Sequence, residues 1–305
     1  MGNTYDVIII GAGPAGLSAG LYTSRARLST LLLEQKTPGG QVMNVERVEN
    51  YPGLANVTGT ELGSSMLKQA REYGAKLAMA EATGVAVAPE QIAVRTSAGD
   101  YRCSALIIAS GAHPKKLNVP GEEEFANKGV FYCATCDGAH FANKVVAVAG
   151  GGDSAITEAL NLCRIVSEVV IIEIMPALTA TSVLQDRAHA NPKIEVLCGV
   201  KIEAILGDER VKSLQLLDTE TQQRGTLDID GILVHVGRMP STDYLKGVVP
   251  HDKNGFILVN DWMETEVPGI FAAGDVRHNS AMQIVSACGD GAVAAISVCK
   301  KLRAG

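Results

Sequence analysis

Aromatic residues and long apolar runs are scarce in this sequence. Aromatic side chains make up 4% of the 305 residues, with a single Trp. No run of about 18 uninterrupted apolar residues occurs, so we expect no membrane-spanning segment. The net charge of −6 argues against binding to nucleic acid or to anionic membranes as the main activity. The first residues enter an apolar strand pattern without a basic segment and a cleavage site, and we therefore expect a cytoplasmic protein.

Metal-binding cysteine patterns are also missing. Among the seven cysteines, Cys133 and Cys136 form the only close pair. No second CxxC or His pair follows at the spacing of zinc ligands, so we expect no metal site. The other five are scattered without the spacing of a disulfide framework, and we expect them to be buried free thiols. They are Cys103, Cys163, Cys198, Cys288 and Cys299.

Apolar residues and glycine are abundant. Hydrophobic residues account for 47% of the chain, and 32 positions are glycine. This composition is typical of an α/β protein with many tight turns between strands and helices. A chain of 305 residues is long enough to bury two separate cores. We therefore expect two α/β domains.

The N-terminal segment has the pattern of a dinucleotide-binding fold. An apolar run over 7–10, typical of a strand buried on both faces of a parallel sheet, precedes Gly11-Ala12-Gly13-Pro14-Ala15-Gly16 and a helical stretch over 17–25. These glycines allow a sharp turn and the close approach of a pyrophosphate to the helix N-terminus. A second apolar run, 30–33, ends at Glu34, whose carboxylate can accept hydrogen bonds from both hydroxyls of an adenosine ribose. The combination predicts a dinucleotide site.

The same pattern recurs in the middle of the chain. The apolar run 145–149 precedes Gly150-Gly151-Gly152-Asp153-Ser154-Ala155, which opens a predicted helix that extends to about residue 166. The next apolar run, 169–172, is followed by Glu173. We therefore predict a second dinucleotide-binding fold.

The segment Cys133-Ala134-Thr135-Cys136-Asp137-Gly138 lies between the first fold and the second glycine loop. Two cysteines three positions apart can close a disulfide, and a helix N-terminus at such a pair lowers the pKa of a thiol. Asp137 can donate a proton to a departing thiolate. A lone CxxC also resembles half of a zinc site. Because nucleotide folds flank this pair, we interpret it as a redox-active dithiol that receives electrons from bound cofactors.

The remaining segments complete two domains. We predict a helix over 59–73, an antiparallel unit over 77–110, strands and hairpins over 194–236, and a strand over 269–275 that ends at an acid. A final helix over about 283–302 has a face of small residues that is expected to pack closely on the first glycine-rich helix: Ala287, Gly291, Ala294 and Ala295.

The predicted fold class is α/β, with two Rossmann-like dinucleotide-binding domains, the second inserted into the first, of the three-layer ββα type. Proline-containing linkers mark the two places where the chain passes between the domains. The first domain is predicted to comprise 1–114 and 243–305. The inserted domain is predicted to comprise 115–242 and to carry the CxxC.

Together these residues resemble the low-molecular-weight thioredoxin reductases, which are flavoprotein pyridine nucleotide-disulfide oxidoreductases. The resemblance covers essentially the whole chain. CATCDG between two nucleotide folds is its most specific part, and the other motifs are shared with flavoprotein disulfide reductases more widely. The segments that carry it are GAGPAG at 11–16, GGQ at 39–41, ENYPG at 49–53, CATCDG at 133–138, GGGDSA at 150–155 and GIFAAGDV at 269–276.

The resemblance implies FAD on the first fold, a nicotinamide nucleotide on the inserted one, a homodimer, and thioredoxin as the partner. It also implies rotation of the domains about the two linkers. Cys136 resembles the flavin-proximal sulfur, Cys133 the sulfur that attacks the partner's disulfide, and Asp137 the acid. The residues that it implies for FAD are Gly11, Gly13, Pro14, Ala15, Gly16, Glu34, Gln35, Gly40, Gln41, Asn50, Ser110, Gly111, Gly274, Asp275, Gln283 and Ile284. Those for the nicotinamide nucleotide are Gly150, Gly152, Asp153, Ser154 and Glu173.

The segment that selects the nucleotide departs from the family pattern. NADPH-using members carry an arginine-rich cluster after the strand of the second fold, which clamps the 2′-phosphate. Here that stretch reads Glu173-Ile174-Met175-Pro176-Ala177-Leu178. An acid at the strand end favours an unphosphorylated ribose, so we predict a preference for NADH over NADPH. The alternative is that Glu173 is a solvated charge and that ferredoxin or a deazaflavin is the electron donor.

Two other functions are compatible with parts of the sequence. A small-molecule dithiol oxidase would pass electrons from its substrate through flavin to oxygen. A flavin-binding redox sensor would bind a partner in one redox state with little turnover. The intact CATCDG segment with its acid favours the reductase over both.

Overall fold

The computed structural model describes residues 3–45, 48, 50–55, 57–89 and 91–304. The chain divides into two compact units, which are Met1–His113 with Met239–Gly305 (unit 1) and Pro114–Arg238 (unit 2). The fold class predicted from the sequence, an α/β protein with two Rossmann-like domains, is confirmed.

The helices and strands are numbered here in chain order. The helices are α1 (Pro14–Arg25), α2 (Gly59–Glu72), α3 (Ala134–Asp137), α4 (Asp153–Leu162), α5 (Ser182–His189) and α6 (Ile284–Ala304). The strands are β1 (Thr4–Ile10), β2 (Thr30–Glu34), β3 (Lys76–Met79), β4 (Ala82–Ala88), β5 (Gln91–Thr96), β6 (Gly99–Ile108), β7 (Ala112–Pro114), β8 (Val130–Phe131), β9 (Val145–Ala149), β10 (Glu168–Glu173), β11 (Ile194–Cys198), β12 (Val200–Gly207), β13 (Val211–Asp218), β14 (Arg224–Asp228), β15 (Gly231–Val234), β16 (Arg238–Pro240) and β17 (Ile270–Ala272).

Unit 1 is built on a sheet with the order β3-β2-β1-β6-β5-β4, to which β17 adds by pairing with β6. Strands β3, β2, β1, β6 and β17 are parallel, and β4, β5 and β6 form an antiparallel meander. The antiparallel unit predicted over 77–110 is therefore confirmed for its last three strands, whereas β3 joins the parallel part. Successive residues of β1 enter two different core clusters, Val7 and Ile9 on one face and Ile8 and Ile10 on the other. This explains its continuous apolar run.

Two helices of unit 1 show how the local sequence sets its packing. The α2 helix begins with a capping box, in which the Thr58 and Glu61 side chains accept hydrogen bonds from each other's backbone N–H groups. Helices α1 and α6 are in close contact, because a Cβ on Gly291 would lie 2.0 Å from the Ala15 carbonyl oxygen. The predicted close packing of the last helix on the first is therefore confirmed.

Unit 2 consists of three layers. A parallel sheet with the order β11-β10-β9-β15-β8 lies between α4 and an antiparallel sheet with the order β12-β13-β14. One apolar cluster joins the parallel sheet to α4, through Val148 and Ile156 among others. A second cluster joins the opposite face to the antiparallel sheet, through Ala147 and Leu214 among others. This is the arrangement predicted as ββα.

Two sequence predictions need correction at the level of single elements. Helix α4 ends at Leu162 rather than near residue 166, because the chain tightens into a turn in which Ile165 N–H donates to the Leu162 carbonyl. Only Cys103 and Cys163 of the five free thiols are fully buried, and the other three are partly exposed. None of the helices described here is long and apolar enough to cross a membrane.

Candidate functional site

The glycine loop of unit 1 joins β1 to α1, and its glycines serve different purposes. Gly11 has φ +102°, and a Cβ there would lie 2.3 Å from the Ala109 carbonyl oxygen. A Cβ on Gly16 would lie 1.9 Å from the Gly11 carbonyl oxygen. Gly13 differs, because its backbone is extended and a Cβ on it would meet nothing closer than Gly40 Cα at 3.9 Å. Gly13 therefore leaves open space at the N-terminus of α1, where backbone N–H groups attract anions.

The carboxylate of Glu34, at the end of β2, lies against this loop. Its Oε2 accepts a hydrogen bond from Ala12 N–H at 2.9 Å, and its Oε1 accepts one from Lys36 N–H at 2.8 Å. The Ala12 carbonyl in turn accepts from Gly39 N–H at 2.7 Å. The loop at 39–41 is thereby held beside the first glycine loop.

Several other residues predicted to contact FAD make hydrogen bonds within unit 1. Gln41 Nε2 donates to the Ala112 carbonyl at 2.5 Å and also lies near Gly111. Asn50 Nδ2 donates to Gln283 Oε1 at 3.0 Å, and Gln283 directly precedes α6. Ser110 Oγ donates to the Ser241 carbonyl at 2.7 Å. Gln35 is exposed.

An ion pair that sequence reasoning missed holds the segment around Asp275. Asp290, buried in α6, accepts hydrogen bonds from Gly274 N–H at 3.1 Å and from two nitrogens of Arg277, at 2.7 Å and 2.9 Å. Such a two-point contact between guanidinium and carboxylate fixes both partners. Asp275 Oδ1 accepts a hydrogen bond from Ser280 Oγ at 3.5 Å. The sequence signal was a lone acid on the otherwise small, apolar face of the last helix.

The glycine loop of unit 2 repeats the geometry of the first. Gly152 is the extended residue before α4, as Gly13 is before α1. Glu173 ends β10 as Glu34 ends β2, and its Oε1 accepts from Met175 N–H at 2.9 Å, two residues further on, as Glu34 accepts from Lys36. A Cβ on Gly151 would lie 2.7 Å from Glu173 Oε2, so this carboxylate lies against the middle residue of its loop. Glu173 is only 8% exposed, which contradicts its interpretation as a solvated strand-end charge.

The remaining predicted nucleotide residues lie at the start of α4. Asp153 Oδ1 accepts a hydrogen bond from Thr181 N–H at 2.6 Å, which ties this turn to the segment after β10. Ser154 follows it in the first turn and is exposed. Gly150 has φ +119°, and a Cβ on it would lie 2.6 Å from the His235 carbonyl oxygen. The structure therefore brings all five predicted nucleotide residues together at one end of the unit 2 sheet.

The two cysteines of the CxxC form a disulfide, with their Cα atoms 5.3 Å apart. Cys133 directly precedes α3, and its Sγ accepts a hydrogen bond from Cys136 N–H at 3.1 Å. The helix comprises only four residues and continues as a 3-10 turn over Gly138–Phe141. The pair therefore lies on a tight turn rather than at the start of a long helix.

Asp137 follows the disulfide and is half-buried. Burial raises the pKa of its carboxyl above the usual range, and nearby His140 opposes this effect. A carboxyl group with a raised pKa retains its proton to higher pH, which suits a group that donates a proton. His140 itself is exposed, and its charge influences Asp137. Over the described ranges, no cluster of His, Cys, Asp and Glu has the arrangement of a metal site.

Comparison with known proteins agrees with this geometry. The family model for pyridine nucleotide-disulphide oxidoreductases matches residues 5–291. A thioredoxin reductase of Bacillus subtilis (strain 168) is 45% identical over 96% of this chain and 93% of its own. One of Listeria innocua is 44% identical over 95% of this chain and 91% of its own. The crystal structure of thioredoxin reductase from Streptococcus pyogenes MGAS5005 superposes with a TM-score of 0.93 at 37% identity and covers the whole of both chains. The chain therefore belongs to the pyridine nucleotide-disulphide oxidoreductase family and, within it, to the low-molecular-weight thioredoxin reductases.

Proposed function

We propose that this enzyme reduces the disulfide of thioredoxin with electrons from NAD(P)H, with a preference for NADH, through FAD and the Cys133–Cys136 disulfide. The observation that carries the proposal is the disulfide itself. It is followed by a half-buried acid and lies in a unit that also has a complete dinucleotide loop. We further propose that unit 1 is the FAD domain, that unit 2 is the nicotinamide nucleotide domain, and that the protein is a cytoplasmic homodimer.

The residues of unit 1 fit FAD. Gly13 leaves room at the N-terminus of α1 for a pyrophosphate, and Glu34 lies where it can accept hydrogen bonds from ribose hydroxyls. Gln41, Asn50 and Asp275 lie on loops that the hydrogen bonds above hold in place. When bound, FAD would supply the two-electron redox chemistry that links hydride transfer from the nicotinamide to reduction of a disulfide. The protein's part is to bind both nucleotides, to orient them and to exclude water.

The dithiol chemistry follows from the side chains of unit 2. In the reduced form, the Cys133 thiolate attacks one sulfur of the substrate disulfide, and a mixed disulfide forms as the substrate's S–S bond breaks. The departing sulfur takes the electron pair, and Asp137 donates the proton that neutralises it. Cys136 then attacks Cys133 Sγ, which releases the second substrate sulfur and restores the disulfide observed here.

The preference for NADH is carried by Glu173. Its carboxylate lies against its glycine loop as that of Glu34 does, which supports a role in accepting hydrogen bonds from an adenosine ribose and in repelling a 2′-phosphate. The next two side chains, Ile174 and Met175, are 54% and 52% exposed and carry no charge. The stretch from 174 to 181 contains no Arg or Lys. A 2′-phosphate would therefore meet a buried anion without the usual guanidinium partners.

Anaerobic stopped-flow with each nucleotide separately tests this proposal. We expect NADH to bleach the flavin absorbance of the FAD-loaded protein rapidly and NADPH to do so far more slowly, followed by reduction of thioredoxin. Faster bleaching by NADPH would refute the role of Glu173 and leave the reductase assignment in place. If neither nucleotide reduced the flavin, the donor assignment would be wrong, and reduced ferredoxin would be the next donor to test.

The open space beside Gly13 predicts the effect of a substitution at this position. In Gly13→Ala, the methyl group has room in the protein itself but occupies the space left for the pyrophosphate, so we expect normal folding with FAD affinity reduced at least about tenfold, which corresponds to about 1.4 kcal/mol. Gly289→Ala is the matched control, because a Cβ on this helical glycine meets nothing within 4 Å. In both variants, flavin content measures the retention of FAD and circular dichroism measures folding. Full flavin retention in Gly13→Ala would show that the pyrophosphate does not bind there.

A further inference from the structure

His235 directly follows β15, the strand next to the one that leads into the disulfide. Strands β8 and β15 are parallel, with Ile232 opposite Val130 and Leu233 opposite Phe131. Strand β8 ends at Phe131 and β15 ends at Val234, so Cys133 and His235 follow neighbouring parallel strands at the same edge of the sheet. The hydrogen-bond ladder on the other side of β15 extends to His235, because the His235 N–H donates to the Ala149 carbonyl at 3.0 Å.

The two side chains also belong to the same face of the sheet. Side chains of an extended strand alternate between its faces. Phe131 and Leu233 lie in the cluster on the α4 face, and Tyr132 and Val234 lie in the cluster on the opposite face. Cys133 still has extended backbone angles, with φ −140° and ψ 108°. Continued by one residue past Tyr132 and Val234, this alternation favours the α4 face for both Cys133 and His235.

Burial and a neighbouring cation favour the neutral form of the His235 imidazole. Burial lowers the pKa of His235, and the nearby Arg238 lowers it further. The Lys115 side chain lies across Gly237, since a Cβ there would be 3.8 Å from Lys115 Nζ. The other titratable groups on the elements of this face include Asp137 and His140 after the disulfide, and Asp153 and Glu158 on α4, where burial raises the pKa of Glu158. A neutral imidazole beside a thiol can accept its proton.

We propose that His235 is the proton acceptor for the Cys133 thiol in the reduced enzyme, an inference that rests on the proposed function. The Cys133 S–H bond breaks, its proton moves to an imidazole nitrogen, and the electron pair stays on Sγ. The thiolate then attacks the substrate disulfide as described above, and the departing sulfur takes its proton from Asp137. His235 thereby acts as the base for the attacking sulfur, and Asp137 acts as the acid for the leaving sulfur.

Alkylation of Cys133 measures this proton transfer without NADH or thioredoxin. In FAD-loaded, reduced Cys136→Ser protein, the rate of iodoacetamide modification at Cys133, followed by peptide mass mapping across pH, reports the thiolate fraction. Adding His235→Gln should raise the thiol pKa and slow alkylation at neutral pH by about tenfold, the effect of one pKa unit on the thiolate fraction. His189→Gln is the control, because this exposed histidine lies at the end of α5. The His189→Gln variant should leave the pH dependence of the alkylation rate unchanged.

Three outcomes would overturn the proposal. The first is an unchanged pH dependence of Cys133 alkylation in His235→Gln, and the second is the same result in His235→Asn. The third is an equal loss of alkylation rate in His140→Gln, which would make His140 the proton acceptor. Folding of the variants is checked by circular dichroism, and the backbone bond from His235 to Ala149 does not depend on the side chain. The alkylation result stands even if thioredoxin proves not to be the substrate, so failure of the proposed function and failure of this inference are distinguishable.

Discussion

Replacing Cys133 by Ser is expected to lower thioredoxin reduction at least about a thousandfold, because a serine hydroxyl cannot replace the attacking thiolate. Reduction of the bound flavin by NADH should persist, since it needs neither cysteine. The measurement is steady-state reduction of thioredoxin beside stopped-flow reduction of the flavin. Cys299→Ser is the control, because this half-buried thiol lies on α6 in unit 1 and should leave both rates near those of the parent protein.

The second cysteine distinguishes the roles of the two sulfurs. In reduced Cys136→Ser protein, Cys133 should attack oxidised thioredoxin and remain joined to it, because the sulfur that would resolve the mixed disulfide is missing. Gel electrophoresis without reductant should show a covalent complex that dithiothreitol releases, and Cys133→Ser should form none. If Cys133→Ser trapped thioredoxin instead, the assignment of the attacking sulfur would have to be reversed.

Changing the segment after β10 is expected to reverse the nucleotide preference. In Glu173→Gln with Ile174→Arg and Met175→Arg, the repelling charge is removed and two guanidinium groups are added at exposed positions. Each charge-assisted hydrogen bond to a 2′-phosphate is worth about 1.5–3 kcal/mol, or about 10- to 150-fold in affinity. We therefore expect the ratio of NADPH to NADH in kcat/KM for flavin reduction to rise at least about a hundredfold.

A matched control separates this effect from a general change of charge. Glu168→Gln removes a carboxylate at the opposite, exposed end of the same strand and should leave the ratio unchanged. Glu173→Gln alone should raise the affinity for NADPH and weaken NADH binding, since the glutamine cannot supply the negative charge that distinguishes the two ribose groups. A triple variant that still preferred NADH by the parental ratio would show that another segment selects the nucleotide.

The sequence by itself determined the fold class and the chemistry of the centre. Continuous apolar runs followed by glycines and an acid predict parallel strands with phosphate loops, because each residue type meets a local steric or electrostatic requirement. The capping box at Thr58 and the small face of α6 are local signals of the same kind. The dithiol and its acid are adjacent in the chain, so their association did not depend on long-range packing.

Only the tertiary structure decided how distant residues meet. Asp290 lies 13 positions after Arg277 and anchors the loop at Gly274 through a buried ion pair, which no periodicity reveals. Glu173 could be read as exposed or buried from sequence, and the packing of the strand end against Gly151 made it buried. The pairing of β8 with β15 joins two strands about a hundred residues apart in the chain, and Cys133 and His235 follow them at the same edge of the sheet. Strand order and register arise from the packing of whole sheets, and a linear sequence does not display them.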